Sequence, residues 1–466
     1  MFLLLTLLSL GRSAQSQALS WVTNSDNASL TITGFTAGEA PGNLTIPSQI
    51  NGMSVMAIGA YAFNGDSSLT NVAIPGSVIN IGFQAFEGCV NLATLTLSNG
   101  VQTIADQAFY ATQISQVTIP DSVTSIGTAA FDTSTLLGIT VSPGNTAYTS
   151  IDGVLFNESG TVLLQYPGAR ADGSYTVPTG VLEIGPSAMS APNLTNVSLP
   201  SSLLNIADYA FEQAASASGL MSVTIPVSVT NVGFHAFYGT RLRDVLIPSG
   251  VTNIGTAAFL NCVTLTAINV DPNNTTYSSV DGVLFDIQQS VLLQYPPAKK
   301  ASVYTLPSSV STIGTTAFAA SPKLTTIVAA NRVTNVQDGA FFRCDNLQNV
   351  YFAGNEPVTG SAVFDSDSNL TVWYLPSSSG WGSEFASRPT APFTFLSAAA
   401  TRDSSGQFSF DILGPDGSTV IIEATAGLNQ PLSWSPIQTV QLTNGLFKYV
   451  ETPQEGPSRF IRARIP

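Results

Sequence analysis

The chain has 466 residues, 44% of them hydrophobic and only 9% charged, with a net charge of −14. That length and apolar content exclude a disordered chain, and the scarcity of Lys and Arg argues against a nucleic-acid backbone as partner. A single histidine excludes a two-His zinc centre.

From the N-terminus, Met1–Leu10 (MFLLLTLLSL) is an apolar run of ten followed by a small, polar stretch. That is the length of a secretory h-region and too short to span a bilayer. Residues 1–18 therefore read as a signal peptide, with cleavage after Ser16 or Ala18, although no Lys or Arg precedes the run. No Cys lies near the cleavage site to carry a lipid, and no later stretch approaches a transmembrane length. The expectation is an exported chain, secreted or held at the cell surface, with no transmembrane segment.

Past residue 57 one hexapeptide dominates. Ile-Gly-x-x-Ala-Phe returns roughly every 22 or 23 residues, ending at Phe63, Phe86, Phe109 and Phe131, then at Met189, Phe211, Phe237 and Phe259. A third block ends at Phe318, Phe341 and, in decayed form, Phe364. A fixed period in this range marks a solenoid, where each unit buries its apolar face against its neighbours. Between the anchors runs Leu-x-x-Val-x-Ile-Pro, for example Leu69–Pro75 and Leu194–Pro200. Its alternation predicts a strand with one buried face, ended by a Pro that has no N–H for the ladder. A second short strand, Val-x-x-Ile, leads into Gly, read here as the residue that permits a tight turn. Cys89, Cys262 and Cys344 each stand three residues after a repeat Phe, a slot that elsewhere holds Thr112, Ser134, Thr240 or Ser321. Non-adjacent rungs lie too far apart for a disulfide, so all three read as buried free thiols.

Read together as LxxVxIPxxVTxIGxxAFxxC, these residues closely resemble the BspA-like leucine-rich repeats of secreted bacterial and some protist surface proteins. The resemblance covers about residues 29–392. It implies a mainly β leucine-rich-repeat solenoid: a parallel strand ladder, short second strands and turns, little helix, and eleven rungs. Residues 19–56 then form an N-terminal cap, residues 57–376 the solenoid and residues 377–394 a closing segment. Two long gaps hold matching inserts at 148–178 and 277–307, whose first residues, Tyr148 and Tyr277, lie 129 residues apart. Each reads as a β-hairpin of VLF and VLLQYP, with Asp152-Gly153 and Asp281-Gly282 as turn formers. From residue 395 the period stops. Short alternating segments at intervals of roughly ten, among them Phe408–Phe410, Thr419–Ala424, Ile437–Leu442 and Phe460–Ile465, predict a small antiparallel β-sandwich over 395–466. The segment from Glu423 to Trp434 and the terminal Arg459–Arg464 resemble a C-terminal module of exported bacterial proteins.

Little chemistry is legible. His235 occupies a repeat slot filled elsewhere by Tyr61, Gln84, Gln107 or Ser187, which makes it a rung-surface residue, and no P-loop is present. Paired carboxylates could serve a glycosidase without histidine, but no acidic residue is set apart. No catalytic residue, cofactor or metal site is expected. What remains is the solvent side of the strand ladder, the x positions of Leu-x-x-Val-x-Ile. They run from Thr70, Asn71 and Ala73 to Thr325, Thr326 and Val328, then Gln348, Asn349 and Tyr351, and finally Thr371, Val372 and Tyr374. This face is polar, nearly uncharged and rich in Thr. Two places interrupt it: the Arg243/Asp244 pair and a Tyr351/Tyr374 ladder, residue types that anchor interfaces. The function expected from the resemblance is a monomeric, non-enzymatic adhesion scaffold binding protein or glycan through this face. An extracellular polysaccharide-active enzyme and a purely structural matrix component are the alternatives.

Overall fold

The structure, a computed structural model, describes residues 19–36, 42–191, 193–213, 219–367, 369–394, 396–402, 407–425, 433–451, 459–464 and 466. The expected signal peptide lies outside the described residues. Those residues contain strands and no helix, and they divide into two compact units: residues 1–240 with 253–258, and residues 241–252 with 259–466.

In the first unit the cap is a hairpin. Leu19–Thr23 pairs antiparallel with Ser29–Phe35, which runs parallel to Met53–Ile58 and so starts a ladder. That ladder continues through Asn80–Ile81, Thr103–Ile104 and Ser125–Ile126, the Val-x-x-Ile segments of the sequence. The Leu-x-x-Val-x-Ile segments build the opposite ladder. Asn43–Thr45, Asn71–Ile74 and Thr94–Leu97 are parallel and in register, Asn43 opposite Asn71 opposite Thr94. Buried and exposed positions alternate along Gln116–Ile119, which is why Val117 and Ile119 enter the core while Gln116 and Thr118 stay outside.

A third column of hydrogen bonds joins the rungs where the sequence shows no strand. Tyr61 N–H donates to Phe83 O, Phe63 N–H to Ala85 O, and Phe86 N–H to Ala108 O. The turn itself is made by the second x of Ile-Gly-x-x-Ala-Phe, not by its Gly. Tyr61, Gln84, Gln107, Ala129, Ser187, Tyr209 and His235 all have φ between 52° and 59°. A left-handed residue with a side chain costs about 1–2 kcal/mol, here offset by the inter-rung bonds that each turn makes. The repeat Gly has another purpose. A Cβ at Gly82 would lie 2.6 Å from Ala60 N, and one at Gly127 2.3 Å from Asp106 N. The Gly lets neighbouring rungs approach.

The anchors stack along the core axis. Phe63, Phe86, Phe109 and Phe131 follow one another at 5.0, 5.2 and 5.5 Å with nearly parallel rings. The slot three residues on is a donor slot as well as a small one. Cys89 Sγ donates to Phe63 O at 3.1 Å, and Thr112 and Thr240 hydroxyls donate to Phe109 O and Phe237 O at 3.0 and 2.9 Å. All three cysteines are buried thiols, none of them in a disulfide. A further ladder, invisible in the repeat consensus, joins Asn205, Asn231 and Asn253 through side-chain amides at 2.6 and 2.5 Å.

The inserts are more than hairpins. Tyr148–Ile151, Val154–Asn157 and Val162–Gln165 form an antiparallel meander whose first turn is Asp152-Gly153, both at positive φ. The third strand then pairs parallel with Glu183–Ile184. Tyr166 N–H donates to Ala188 O, the bond a repeat Phe makes, and Tyr175 stands opposite Val197 in the face ladder. Each insert thus contains a whole rung in which Tyr replaces both core Phe and core Val. The second insert repeats the arrangement with Tyr295 and Tyr304, whose rings meet at 4.9 Å. These rungs escaped the consensus because it requires Phe. They stand beside the eleven anchored by Ile-Gly-x-x-Ala-Phe.

The second unit carries the same two ladders. Val303–Thr305, Thr326–Ala329, Asn349–Phe352, Thr371–Tyr374 and Arg388–Pro392 make the face, and Phe318, Phe341 and Phe364 stack at 5.1 Å beneath it. Its C-terminal module is two three-stranded antiparallel sheets. One contains Leu396–Arg402, Phe408–Leu413 and Leu446–Val450, the other Ser435–Gln441, Thr419–Thr425 and Phe460–Arg464. Phe410, Ile412, Val420, Ile422, Leu442 and Tyr449 form the core between them.

Candidate functional site

The strand face is the one surface that the repeat builds for a purpose other than stacking. In the first unit it presents Asn71, Thr94, Gln116, Thr118, Asn196 and Ser222, all exposed. Thr70 Oγ1 donates to Gly42 O at 2.8 Å, so part of this polar surface is occupied in tying rungs together. Thr and Asn here serve the ladder first.

In the second unit Arg243 and Asp244 are both exposed at the start of Asp244–Ile247, as is Leu246, which is 55% exposed two positions on. Arg243 and Asp244 make no side-chain ion pair among the described residues, so both charges are free to meet a partner. Asp244–Ile247 pairs with Ala267–Val270, which continues the face with Ala267 and Asn269.

The C-terminal end of the face differs from the sequence expectation. Tyr351 stands opposite Trp373, and it is Phe352 that stands opposite Tyr374. The two tyrosines do not form a ladder. Val328 and Val372, read as face positions, are fully buried. Val372 points into the solenoid core because its rung is one residue short, which reverses the side-chain parity. Val328 is covered from outside. With Ala353 and Leu375 it packs against Leu413 of the C-terminal module, and Val303, Tyr351, Phe393 and Leu446 surround the contact. Asn331 N–H donates to Asn444 O at 3.1 Å across the same junction. Tyr351 is half-buried, and burial raises its phenol above the usual range.

The module contains the residues that the sequence singled out near the C-terminus. Glu423, 4% exposed, accepts from Arg462 Nε at 2.8 Å and Arg464 Nε at 2.7 Å, and these bonds hold its carboxylate below the usual range. Arg462 lies 4.3 Å from the Trp434 ring centroid. This constellation closes one sheet of the module. His235 is stacked on Phe234 at 3.9 Å and on Tyr238 at 4.8 Å, and burial lowers its pKa, which favours the neutral ring. Among the described residues no group of three or more His, Cys, Asp or Glu is placed to hold a metal, and no helix is long and apolar enough to cross a membrane.

Parallel rungs of 22 or 23 residues with a polar strand face define a leucine-rich-repeat solenoid. The BspA type leucine rich repeat region matches residues 45–167, 173–280 and 298–385, in six copies, and the chain belongs to that family. Among solved structures it is similar to a leucine rich cell surface protein of Faecalibacterium prausnitzii, 25% identical over 76% of this chain and 80% of the other, with a TM-score of 0.38. It is also similar to the pneumococcal vaccine antigen PcpA, 17% identical over 81% and 96% of the two chains, with a TM-score of 0.44. A leucine-rich repeat protein of Eubacterium ventriosum is 21% identical over 76% and 93%, again with a TM-score of 0.44. No curated protein matches the chain.

Proposed function

We propose that the protein is an exported, non-enzymatic binding scaffold of the adhesin kind, which recognises protein or glycan through the open part of its strand face. Membership of the BspA-type family supports a scaffold, and the apolar run Met1–Leu10 supports export. The observation that carries the reading is the exposed trio Arg243, Asp244 and Leu246, which interrupts a face otherwise made of small polar side chains. An arginine and an exposed leucine supply the anchoring area that Thr and Ser lack. The end around Val328 and Tyr351 is left out of this reading, since Leu413 and Leu446 of the module pack there.

The test is binding of the purified chain to arrayed extracellular proteins and glycans, followed by single substitutions. For the partner found, Arg243→Ala and Leu246→Ala should each weaken binding roughly 30-fold, the effect of losing about 2 kcal/mol at a hot spot, whereas Thr118→Ala should be near neutral. Binding should tolerate salt, since the trio carries one charge of each sign. Equal and negligible effects from all three variants would sink the reading.

A further inference from the structure

The C-terminal module has an open strand edge. In the sheet of Ser435–Gln441, Thr419–Thr425 and Phe460–Arg464 the middle strand is Thr419–Thr425, so each outer strand pairs on one side only among the described residues. An edge strand is a template for a further strand unless something blunts it. Ser435–Gln441 is blunted, since it contains Pro436 and its register shifts where it passes Ile422 and Glu423. Phe460–Arg464 has neither device. It contains no Pro, and its register runs unbroken from Phe460 opposite Thr425 to Arg464 opposite Ile421.

The side chains of this strand decide what can join it. Ile461 and Ala463 pack on the module core with Val420 and Ile422, so alternation puts Phe460, Arg462 and Arg464 on the outer side with Glu423. These two arginines and Glu423 are the only charged residues of the three strands, and they are not equally visible. The Glu423 side chain is 5% exposed, those of Arg462 and Arg464 46% and 44%. The carboxylate lies beneath the guanidinium groups and orients both through their Nε atoms, while the Trp434 ring braces Arg462. Two half-exposed cations therefore face outward on a chain whose net charge is −14. They stand two residues apart on one strand, about 7 Å along it.

We infer that Phe460–Arg464 accepts an extended acidic peptide segment of a protein partner as a fourth strand of this sheet. An added strand repeats the same two-residue period, so Asp or Glu at its positions i and i+2 come opposite Arg462 and Arg464, within a cross-strand reach of about 5 Å. Main-chain bonds along the edge supply affinity, and the arginines supply selection. The same charges reject a second copy of the strand, because pairing it in parallel register or antiparallel about Arg462 sets guanidinium against guanidinium. An acidic polysaccharide meets the arginines but has no peptide backbone for the edge. The inference stands apart from the Arg243 trio and survives its failure.

The test is calorimetry on the full chain with end-blocked peptides of alternating Thr and Glu and of alternating Thr and Lys, and with alginate as an acidic polysaccharide. The Glu peptide should bind at low salt with a dissociation constant of about 1 mM or tighter, and lose affinity as salt is added. It should also protect amides of Phe460–Arg464 from hydrogen exchange, which contact with the arginine side chains alone would not do. The Lys peptide should not bind. Arg464→Gln and Phe460→Glu should each weaken the Glu peptide about fivefold or more, the effect of one cross-strand ion pair, and Arg243→Ala should leave it unchanged. Phe460 is 47% exposed, so Phe460→Glu adds a repelling charge without touching Glu423 and decides the matter if Arg464→Gln loosens the module. The inference is overturned if the Glu peptide does not bind, if alginate binds in its place, or if binding leaves exchange along Phe460–Arg464 unchanged. It is overturned as well if the chain self-associates in a way that Phe460→Glu abolishes, since a second copy then occupies the edge.

Discussion

Tyr351 and Trp373 stack at 5.8 Å, with 15° between their rings, on adjacent strands of the face. Leu347 and Val350 are three residues apart in one rung, but Leu370 and Val372 are two apart in the next, and all four are buried. One missing residue reverses the parity of the strand, so Trp373 comes to the face and Tyr374 turns to the side of Phe352. There Tyr374 stacks on Trp381 at 5.3 Å. Tyr351, flanked edge-on by Phe393 at 5.3 Å, becomes part of the seat for the C-terminal module.

From this seat follows a prediction about the module. Leu413 is fully buried, and its partners Val328, Ala353 and Leu375 belong to the solenoid. Leu413→Ala should loosen docking by about 2–5 kcal/mol, the range for a buried leucine, while the module core around Phe410 and Ile422 stays folded. Limited proteolysis should then release a C-terminal fragment much faster than from the parent protein. Unchanged resistance would mean that the module is held by something other than this contact.

The stacked phenylalanines should dominate stability within a rung. Phe109 is fully buried between Phe86 and Phe131. We predict that Phe109→Ala costs about 3–5 kcal/mol in chemical denaturation, since the rungs above and below cannot collapse into the gap without breaking their own hydrogen bonds. A loss under ~1 kcal/mol would show that the column is not core.

The repeat and its strands were legible because each rung restates the same residues, and the period alone specifies stacking. The Tyr166 and Tyr295 rungs were not, since they keep the backbone role and change the side chain. The turn was credited to Gly when the left-handed residue is the second x. Ile-Gly-x-x-Ala-Phe gives no sign of φ, and residues as different as Tyr61, Gln84 and His235 hold that conformation. Of the candidate site, the sequence singles out Arg243 and Asp244 as breaks in a monotonous surface, and the two side chains are exposed. The covered end was out of reach. Nothing in the repeat says that Leu413 and Leu446, more than sixty residues beyond Tyr351, close over it.

The cysteines should be silent until the protein unfolds. Cys89 is fully buried, and burial pushes its thiol up to about 12, while its S–H donates to Phe63 O. A thiol so raised has almost no thiolate at neutral pH. We expect no reaction with a thiol reagent in the native state and three free thiols per chain under denaturing, non-reducing conditions. A count of one would require a disulfide that the spacing of the rungs forbids.

The last prediction concerns a residue that violates its slot. Asp367 stands three residues after Phe364, where other rungs place Cys or Thr to donate to a carbonyl. It is 1% exposed. An ionised carboxylate has no proton to donate, so the slot favours the acid form. Burial raises its pKa to about 7, with Arg388 and the Cys344 amide pulling the other way. The folded chain therefore holds a proton that the unfolded chain, with a carboxyl pKa of ~3.9, releases. Between those two values the native state binds more protons, so stability falls as pH rises from about 4 through about 7. Asp132, raised to about 7 by burial and by Glu212, adds to the same slope. Asp367→Asn should remove its share, leaving stability near pH 4 unchanged and increasing it by up to about 4 kcal/mol at pH 8, as read from denaturation midpoints at the two pH values. A variant less stable than the parent at pH 8 would mean that the ionised carboxylate is held by Arg388 as a favourable pair.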